Sequence, residues 1–306
     1  MASEISRREF MLKAGVGALV LPALSCVSIN SAGSVSVPGM KVGYASITWG
    51  GNDLQAIKDI SSLGFKGIQL RANTFREYGE RPDALRDLLK THKLELCMFS
   101  SGNANINTGN DKAVIDQHLK NAAFIKKLGG QLLQVTNSSR PKEGAPSTAD
   151  LKSYGHLLNE IGKRTLDLGV QTVYHNHMHQ LGETPEEVEM IMDSCDEKYV
   201  NLLLDIAHYQ QGGGSPEAAI KQYKSRIQAL HLKDVRQMPE AGAKAYKFVE
   251  LGQGEVNLPN VLAALQEIKF KGWGIIELDA VPDKDKTPLE CAKISHAYLK
   301  SKGMKI

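Results

Sequence analysis

Metal-capable side chains stand at four places where a short apolar run turns polar. They are His175 after Val-Tyr, Asp205 after Leu-Leu-Leu, His231 after Ala-Leu and Glu277 after Ile-Ile. Two imidazoles and two carboxylates make a borderline donor set, which suits Mn²⁺, Fe²⁺, Co²⁺ or Zn²⁺ better than Ca²⁺. We therefore expect one divalent metal ion held by these four residues, with Mn²⁺ first and Zn²⁺, Co²⁺, Fe²⁺ or Mg²⁺ as alternatives.

Further polar residues follow the same runs and are candidates for catalysis and substrate binding. A general base must lie within hydrogen-bond reach of the proton it removes, and the catalytic candidates are Glu277, His177, His208 and Lys233. A lysine beside a metal can have a lowered pKa, which would let it act as an acid or base. The expected substrate-binding residues are Trp49, Arg71, Asn176, His177, His208 and Lys233.

Simpler interpretations exist for these residues when each is taken alone. A single strand-end histidine is often structural, Glu277 could be an ion-pair partner, and Asp205 could cap the following helix. Asn176 and Asp234 are candidates for orienting the metal ligands from behind. The remaining histidines lie in helical segments, where we expect surface positions: His92, His118, His156 and His296.

The elements that must position these residues are short apolar runs alternating with amphipathic stretches. Strand side chains alternate between two faces, so His175 and His177 can share one face, as can His231 and Lys233. The strand candidates are residues 41–47, 67–70, 94–100, 132–136, 171–175, 200–205, 227–232 and 274–278. The clearest helix candidates are residues 53–63, 82–92, 112–128, 147–168 and 258–268.

Eight strand–helix units in this length predict an α/β protein with a single (β/α)8 TIM barrel over residues 39–306. A doubly wound open sheet is the alternative, but the loop after the first strand lacks a GxGxxG pattern. Three long irregular stretches, 101–110, 137–146 and 235–250, each follow a strand. They would cap the face of the barrel where such enzymes keep their active sites.

Residues 1–38 have the layout of an export signal and linker rather than of a folded element. Arg7-Arg8 precede Phe10 and Lys13, and an apolar run of residues 14–24 follows, as in a twin-arginine-type signal peptide. That run is too short to span a bilayer comfortably. We expect an exported, periplasmic protein without a transmembrane segment after signal removal, and lipid attachment at Cys26 is an alternative fate of the leader.

Composition excludes several other classes of protein. The formal net charge is only +3, and the charged residues are scattered along the chain, whereas a nucleic-acid-binding protein usually carries a basic stripe or patch. The four cysteines form no CxxC pair, and Cys97 has the pattern of a small buried hydrophobic residue. A small carbohydrate is the expected partner, nucleic acid is not, and a homodimer is possible.

The motifs at the strand ends resemble those of the sugar phosphate isomerase/epimerase family, the xylose isomerase-like TIM barrels. The similarity extends over nearly all of residues 40–306. It includes a YHNH motif like that of inosose dehydratase-like and hydroxypyruvate isomerase-like proteins. The segments that carry it are Lys41-Val42-Gly43-Tyr44, Gly64–Leu70, Tyr174–His177, Asp205–His208, His231–Asp234, Gly252-Gln253-Gly254 and Ile276-Glu277.

The resemblance implies a divalent metal bound by residues of strands five to eight and proton abstraction beside a metal-polarised oxygen. In the epimerase branch strand five ends in a glutamate that works with the strand-eight glutamate across the substrate carbon. His175 occupies that position here, which argues against the two-glutamate mechanism and leaves the metal site in place.

Three functions remain open at this point. The first is a metal-dependent isomerase or epimerase that acts on a free sugar or keto-sugar through an enediolate. The second is a lyase, dehydratase or hydratase that eliminates a β-oxygen from a keto-sugar, keto-glycoside or inosose. The third is a carbohydrate-binding barrel without catalysis. An exported location favours unphosphorylated substrates.

Overall fold

The computed structural model describes residues 36–242 and 245–306. Eight parallel strands close into a barrel. They are β1 (Lys41–Ala45), β2 (Gly67–Arg71), β3 (Glu95–Asn103), β4 (Leu132–Thr136), β5 (Gln171–His175), β6 (Val200–Asp205), β7 (Ile227–Leu232) and β10 (Trp273–Ile276). Their order around the barrel is β1-β10-β7-β6-β5-β4-β3-β2. The predicted TIM barrel is confirmed.

Helices follow the strands and surround the barrel. They are α1 (Asp53–Ser62), α2 (Thr74–Tyr78), α3 (Pro82–Thr91), α4 (Asp111–Lys127), α5 (Thr148–Asp167), α6 (Pro185–Asp193), α7 (Ile206–Gln211), α8 (Pro216–Gln222), α9 (Leu258–Glu267) and α10 (Pro288–Ser301). Ser147 and Thr184 cap α5 and α6 as their types predict, because each hydroxyl accepts a backbone N–H of the first turn. Within the described ranges, no helix combines the length and apolarity needed to cross a bilayer.

Glycines end several helices as expected. Gly64, Gly129 and Gly169 have φ values of +89°, +82° and +75°, the left-handed region that glycine enters at the lowest cost. The end of α9 differs, because Lys269 takes the left-handed position with φ +55°. Gly272 is required there for another reason: a Cβ atom would collide with the backbone oxygen of Gln228.

Two elements differ from the sequence-based prediction. Strand β1 ends at Ala45, and Ser46–Trp49 form a 3₁₀ turn in place of the predicted strand continuation. The stretch after β7, predicted to be irregular, contains an antiparallel hairpin of β8 (Asp234–Gln237) and β9 (Tyr246–Val249). Its 3₁₀ turn (Pro239–Ala241) lies between the two strands.

The core lies between the barrel and the helices, with a smaller apolar layer inside the barrel. Outward-facing Tyr44, Phe99 and Leu230 belong to the main core, while Cys97 and Met98 belong to the inner layer. The prediction of a buried Cys97 is therefore confirmed. The twin-arginine-type signal and the possible lipid-attachment residue Cys26 lie outside the described residues.

Candidate metal and catalytic site

Parallel pairing brings the four predicted metal ligands to one end of the barrel. His175 and Asp205 are the last residues of β5 and β6, His231 pairs with Asp205 across β6 and β7, and Glu277 directly follows β10. One donor atom from each lies within 4.8 Å of every other. All four side chains are buried, so their charges and lone pairs must be satisfied inside the protein.

The cluster contains oxygen and nitrogen lone pairs that a bound cation would satisfy. His231 Nδ1 is 3.1 Å from Glu277 Oε2 and 3.2 Å from His175 Nε2. Asp205 Oδ2 is 3.5 Å from both of those ring nitrogens, and among the residues that the structure describes it has no hydrogen-bond partner. A buried carboxylate oxygen without a partner, facing two imidazole nitrogens, fits a divalent metal ion.

Asp205 is held by its backbone and by its second oxygen. Its Oδ1 accepts the N–H groups of Ala207 and His208, so it also caps α7 as the simpler interpretation suggested. The Asn176 amide donates to the Asp205 carbonyl at 3.1 Å and accepts the Asp205 N–H at 2.9 Å. Asn176 is thus fully engaged behind a ligand, and the structure does not bring it to the barrel mouth as a substrate-binding group.

Two glutamines that the sequence analysis missed connect the ligand histidines from below. His231 Nε2 donates to Gln69 Oε1 at 2.9 Å, and Gln69 Nε2 donates to Gln134 Oε1 at 2.9 Å. Gln134 Nε2 donates to His175 Nδ1 at 3.1 Å, so neutral His175 carries its proton on Nε2 in the metal-free protein. The contacts direct His231 Nδ1 and His175 Nε2 toward the carboxylates. The available signal was a polar amide inside an apolar strand, in Ile-Gln-Leu and Leu-Gln-Val.

The two ligand histidines differ in protonation in the metal-free protein. Burial lowers the pKa of His175 to about 4, and the nearby Asp205 carboxylate only partly opposes this. Burial also acts to lower the pKa of His231, but the charge of Glu277 and the contacts with Asp205 outweigh it and raise that pKa to about 9. His231 therefore carries a proton at neutral pH that a metal must displace.

Lys233 occupies the centre of the site above the cluster. Its ammonium group is fully buried and lies 2.7 Å from Asp279 Oδ1, 3.0 Å from Glu277 Oε2 and 3.6 Å from Asp205 Oδ2. Burial acts to lower its pKa, but the three carboxylates outweigh burial and raise it. The surrounding protein groups therefore raise the pKa of Lys233, whereas a lowered pKa was expected for a lysine beside a metal. Lys233 is a fixed positive charge rather than a base.

His208 and His177 lie side by side with ring centroids 3.9 Å apart, but their hydrogen bonds give them different roles. The N–H of Met178 donates to His208 Nδ1, so neutral His208 carries its proton on Nε2. Burial holds the pKa of His208 well below its usual value. His177 Nδ1 donates to the Met178 carbonyl at 2.7 Å, which leaves the His177 Nε2 lone pair free in the neutral ring.

Several predicted residues lie elsewhere or act differently. Trp49 is buried against Tyr44 and donates its indole N–H to Asp59, so it packs behind the rim and does not reach the cluster. Asp234 does not contact the metal-ligand candidates, because its carboxylate accepts four backbone N–H groups, those of residues 235, 252, 254 and 256.

Arg71 lies at the barrel rim, whereas His118 is buried in the protein. Arg71 ends β2 two residues after Gln69, so it shares the interior-facing side of the strand at the barrel rim and is half-buried. The expectation that His118 is a surface residue is wrong. It lies on the buried face of α4, which turns toward β3, and its Nδ1 is 2.6 Å from Ser101 Oγ.

Residues 57–302 match the family of xylose isomerase-like TIM barrels, and the chain belongs to this family. A curated relative, the inosose dehydratase of Clostridium botulinum (strain Alaska E43 / Type E3), is 26% identical over 300 residues, which cover 86% of this chain and 97% of the relative. The resemblance that the motifs indicated is confirmed.

Two solved structures share the fold. A structure described as IOLI protein with a binding zinc atom has a TM-score of 0.75 at 20% identity, covering 86% of this chain and 98% of its own. A sugar phosphate isomerase/epimerase from Parabacteroides distasonis ATCC 8503 has a TM-score of 0.67 at 18% identity, covering 92% and 98%. At these identities the structural likeness supports the barrel alone.

Proposed function

We propose that this chain is a divalent-metal-dependent dehydratase that eliminates a β-oxygen from a keto-sugar or a cyclic keto-polyol. The family and the relatives support the coarser statement, that the chain is a sugar-modifying enzyme of the isomerase/epimerase or dehydratase type. The observation that carries the finer proposal is His177, whose ring lies 5.6 Å from that of the ligand candidate His175 and whose Nε2 has no hydrogen-bond partner among the described residues.

The metal would be held by His175 Nε2, Asp205 Oδ2, His231 Nδ1 and Glu277 Oε2. Asp205 Oδ2, which has no hydrogen-bond partner among the described residues, and the inward-facing ring nitrogens support this assignment, as does the zinc in a solved structure of the same fold. Mn²⁺ is our first expectation, because a mixed nitrogen and oxygen donor set is compatible with it, and Zn²⁺, Co²⁺, Fe²⁺ or Mg²⁺ are the alternatives. When bound, the metal supplies Lewis-acid stabilisation of negative charge on a substrate oxygen.

The residues of the chain itself can complete an elimination. His177 Nε2 accepts the proton from the carbon beside the carbonyl, the C–H electrons form the new double bond, and the β C–O bond breaks. His177 then returns the proton to the departing oxygen, which leaves as water. The Lys233 ammonium donates a hydrogen bond to the oxygen that accumulates charge.

Epimerisation is less compatible with this arrangement. Exchange of a proton between two faces of one carbon needs a base on each side, and the position opposite Glu277 is occupied by His175. Both ring nitrogens of His175 are engaged, Nδ1 with Gln134 and Nε2 with the cluster. Aldose–ketose isomerisation is the second candidate, because one base such as His177 can move a proton between neighbouring carbons.

The test is NMR in heavy water with the metal-loaded protein, an inosose and a set of free ketoses. We expect loss of water from one of them and an ultraviolet-absorbing enone or diketone product. Deuterium uptake without loss of water would instead support the isomerase. No exchange with any of them, despite bound metal, would favour a carbohydrate-binding barrel and contradict the proposal.

Variants separate the metal site from the base. We expect His231→Ala and Glu277→Gln to lose bound metal in elemental analysis, whereas His177→Ala should keep it and lose roughly 10²- to 10⁴-fold in turnover. Undiminished metal in both ligand variants would contradict the ligand assignment. The proposed periplasmic location, which rests on the leader sequence alone, is tested separately by cell fractionation.

A further inference from the structure

Two aromatic rings lie side by side at the mouth of the barrel. The Tyr246 and His179 ring planes are inclined by only 15°, their centroids are 6.4 Å apart, and the Tyr246 hydroxyl is 3.3 Å from His179 Nε2. The two rings are therefore nearly parallel and offset from each other, and we call this pair the aromatic platform.

The platform is fixed by the elements on both sides. His179 has a left-handed backbone with φ +64°, and its N–H donates to Glu183 Oε2 at 3.2 Å. A left-handed histidine is uncommon, and such conformations concentrate at functional sites. Tyr246 begins β9 and pairs with Gln237 of β8. The hairpin is also held by an ion pair of 3.1 Å between Lys247 and Asp283.

A continuous row of rings connects the platform to the catalytic site. Tyr246 lies 5.4 Å from Phe248, and Phe248 lies 5.0 Å from His208, measured between ring centroids. Phe248 also lies 4.2 Å from the Lys233 ammonium group. His179 is exposed and Tyr246 is half-buried, so the platform remains open to solvent beside the site.

We propose that Tyr246 and His179 form a second sugar-binding subsite, so that the substrate is a glycoside of at least two rings. This inference rests on the proposed function: one ring reacts at the metal site and the neighbouring ring lies on the platform. An aromatic ring face of the platform packs against the C–H-rich face of a pyranose, and the tyrosine hydroxyl and the imidazole form hydrogen bonds with its hydroxyl groups.

The test is calorimetric titration of the metal-loaded full chain with cellobiose, maltose, gentiobiose and glucose. We expect at least one disaccharide to bind about tenfold more tightly than glucose, and Tyr246→Ala to abolish that difference with little effect on glucose. Tyr246→Phe should keep most of it, because the ring remains. Tyr199→Ala, a half-buried tyrosine at the opposite end of the barrel, is the matched control.

Two results would overturn the subsite. One is a wild-type protein that binds no disaccharide more tightly than glucose, and the other is a preference that survives in both Tyr246→Ala and His179→Ala. Either result leaves elimination from a one-ring substrate intact. Conversely, absence of metal-dependent elimination together with a Tyr246-dependent disaccharide preference would contradict the proposed chemistry and retain the subsite.

Discussion

Replacement of Lys233 by methionine should destabilise the metal-free protein strongly. The side chain is completely buried, and its ammonium group is the shared partner of Asp279, Glu277 and Asp205 at 2.7, 3.0 and 3.6 Å. Removal of one partner from a buried ion pair costs about 3–5 kcal/mol, because the other charge remains buried without compensation. For a domain of this size, 1 kcal/mol corresponds to roughly 2–4 °C, so the unfolding temperature should fall by roughly 6–20 °C.

Metal should reverse much of this loss. The ammonium group lies against Glu277 Oε2 and near Asp205 Oδ2, the same oxygens that we assign to the metal. A divalent ion supplies the missing positive charge, and in Lys233→Met it no longer experiences repulsion from the ammonium group. The increase in unfolding temperature on addition of metal should therefore be larger in Lys233→Met than in the wild-type protein.

The assay is thermal unfolding followed by circular dichroism, with EDTA and with saturating Mn²⁺. Lys247→Met, a lysine substitution on strand β9, is the matched control. Its ion pair with Asp283 has side-chain exposures of 31% and 41%, so the loss should stay below about 1 kcal/mol and should not depend on metal. Two results would refute this reasoning. One is an EDTA-treated Lys233→Met protein with the same unfolding temperature as the wild-type protein, and the other is an equal increase in unfolding temperature on addition of Mn²⁺ in both proteins.

Three further predictions follow from other contacts. Metal binding at His175 Nε2 requires the proton on Nδ1, where the Gln134 side chain can accept it through Oε1 once the amide turns; Gln134→Leu removes that acceptor, so Mn²⁺ affinity measured by titration should fall roughly 10- to 100-fold, and unchanged affinity would exclude a supporting role for Gln134. Because His231 has a pKa of about 9, metal must displace its proton. The apparent affinity for Mn²⁺ should rise about tenfold per pH unit up to pH 9, and calorimetry in two buffers should detect about one proton released for each metal ion bound. Burial lowers the pKa of His118 to about 4, so its stabilising contribution is present above about pH 6.5 and is lost toward pH 4, on the order of 3 kcal/mol. In urea unfolding, the free energy of unfolding of His118→Gln should therefore fall less between pH 6.5 and pH 4 than that of the wild-type protein. An equal fall in both proteins would contradict the prediction.

The sequence determined the barrel and the four candidate metal ligands. Each signal is local, since an apolar run that ends in a polar residue lies within one segment, and parallel strands place all such ends at one rim. That is why His175, Asp205, His231 and Glu277 could be grouped without knowledge of any contact. The simple alternation of strand faces also placed Lys233 beside them.

Residues whose position depends on packing between elements were harder to predict. Gln69 and Gln134 look like minor irregularities in apolar strands until their amides meet in the barrel. His118 follows the pattern of a helical surface residue, but α4 turns it toward Ser101 of β3. Trp49 turns away from the mouth because its indole N–H reaches Asp59 on α1.

The roles of the polar residues at the rim were decided only by the tertiary structure. From the sequence, Glu277, His177, His208 and Lys233 are equivalent candidates for the base. The fold distinguishes them, because Lys233 meets carboxylates that lie 44 and 46 residues away along the chain, and His208 meets a backbone N–H from the loop after β5. Protonation depends on the partners that surround a group, and strand closure brings those partners from distant parts of the sequence.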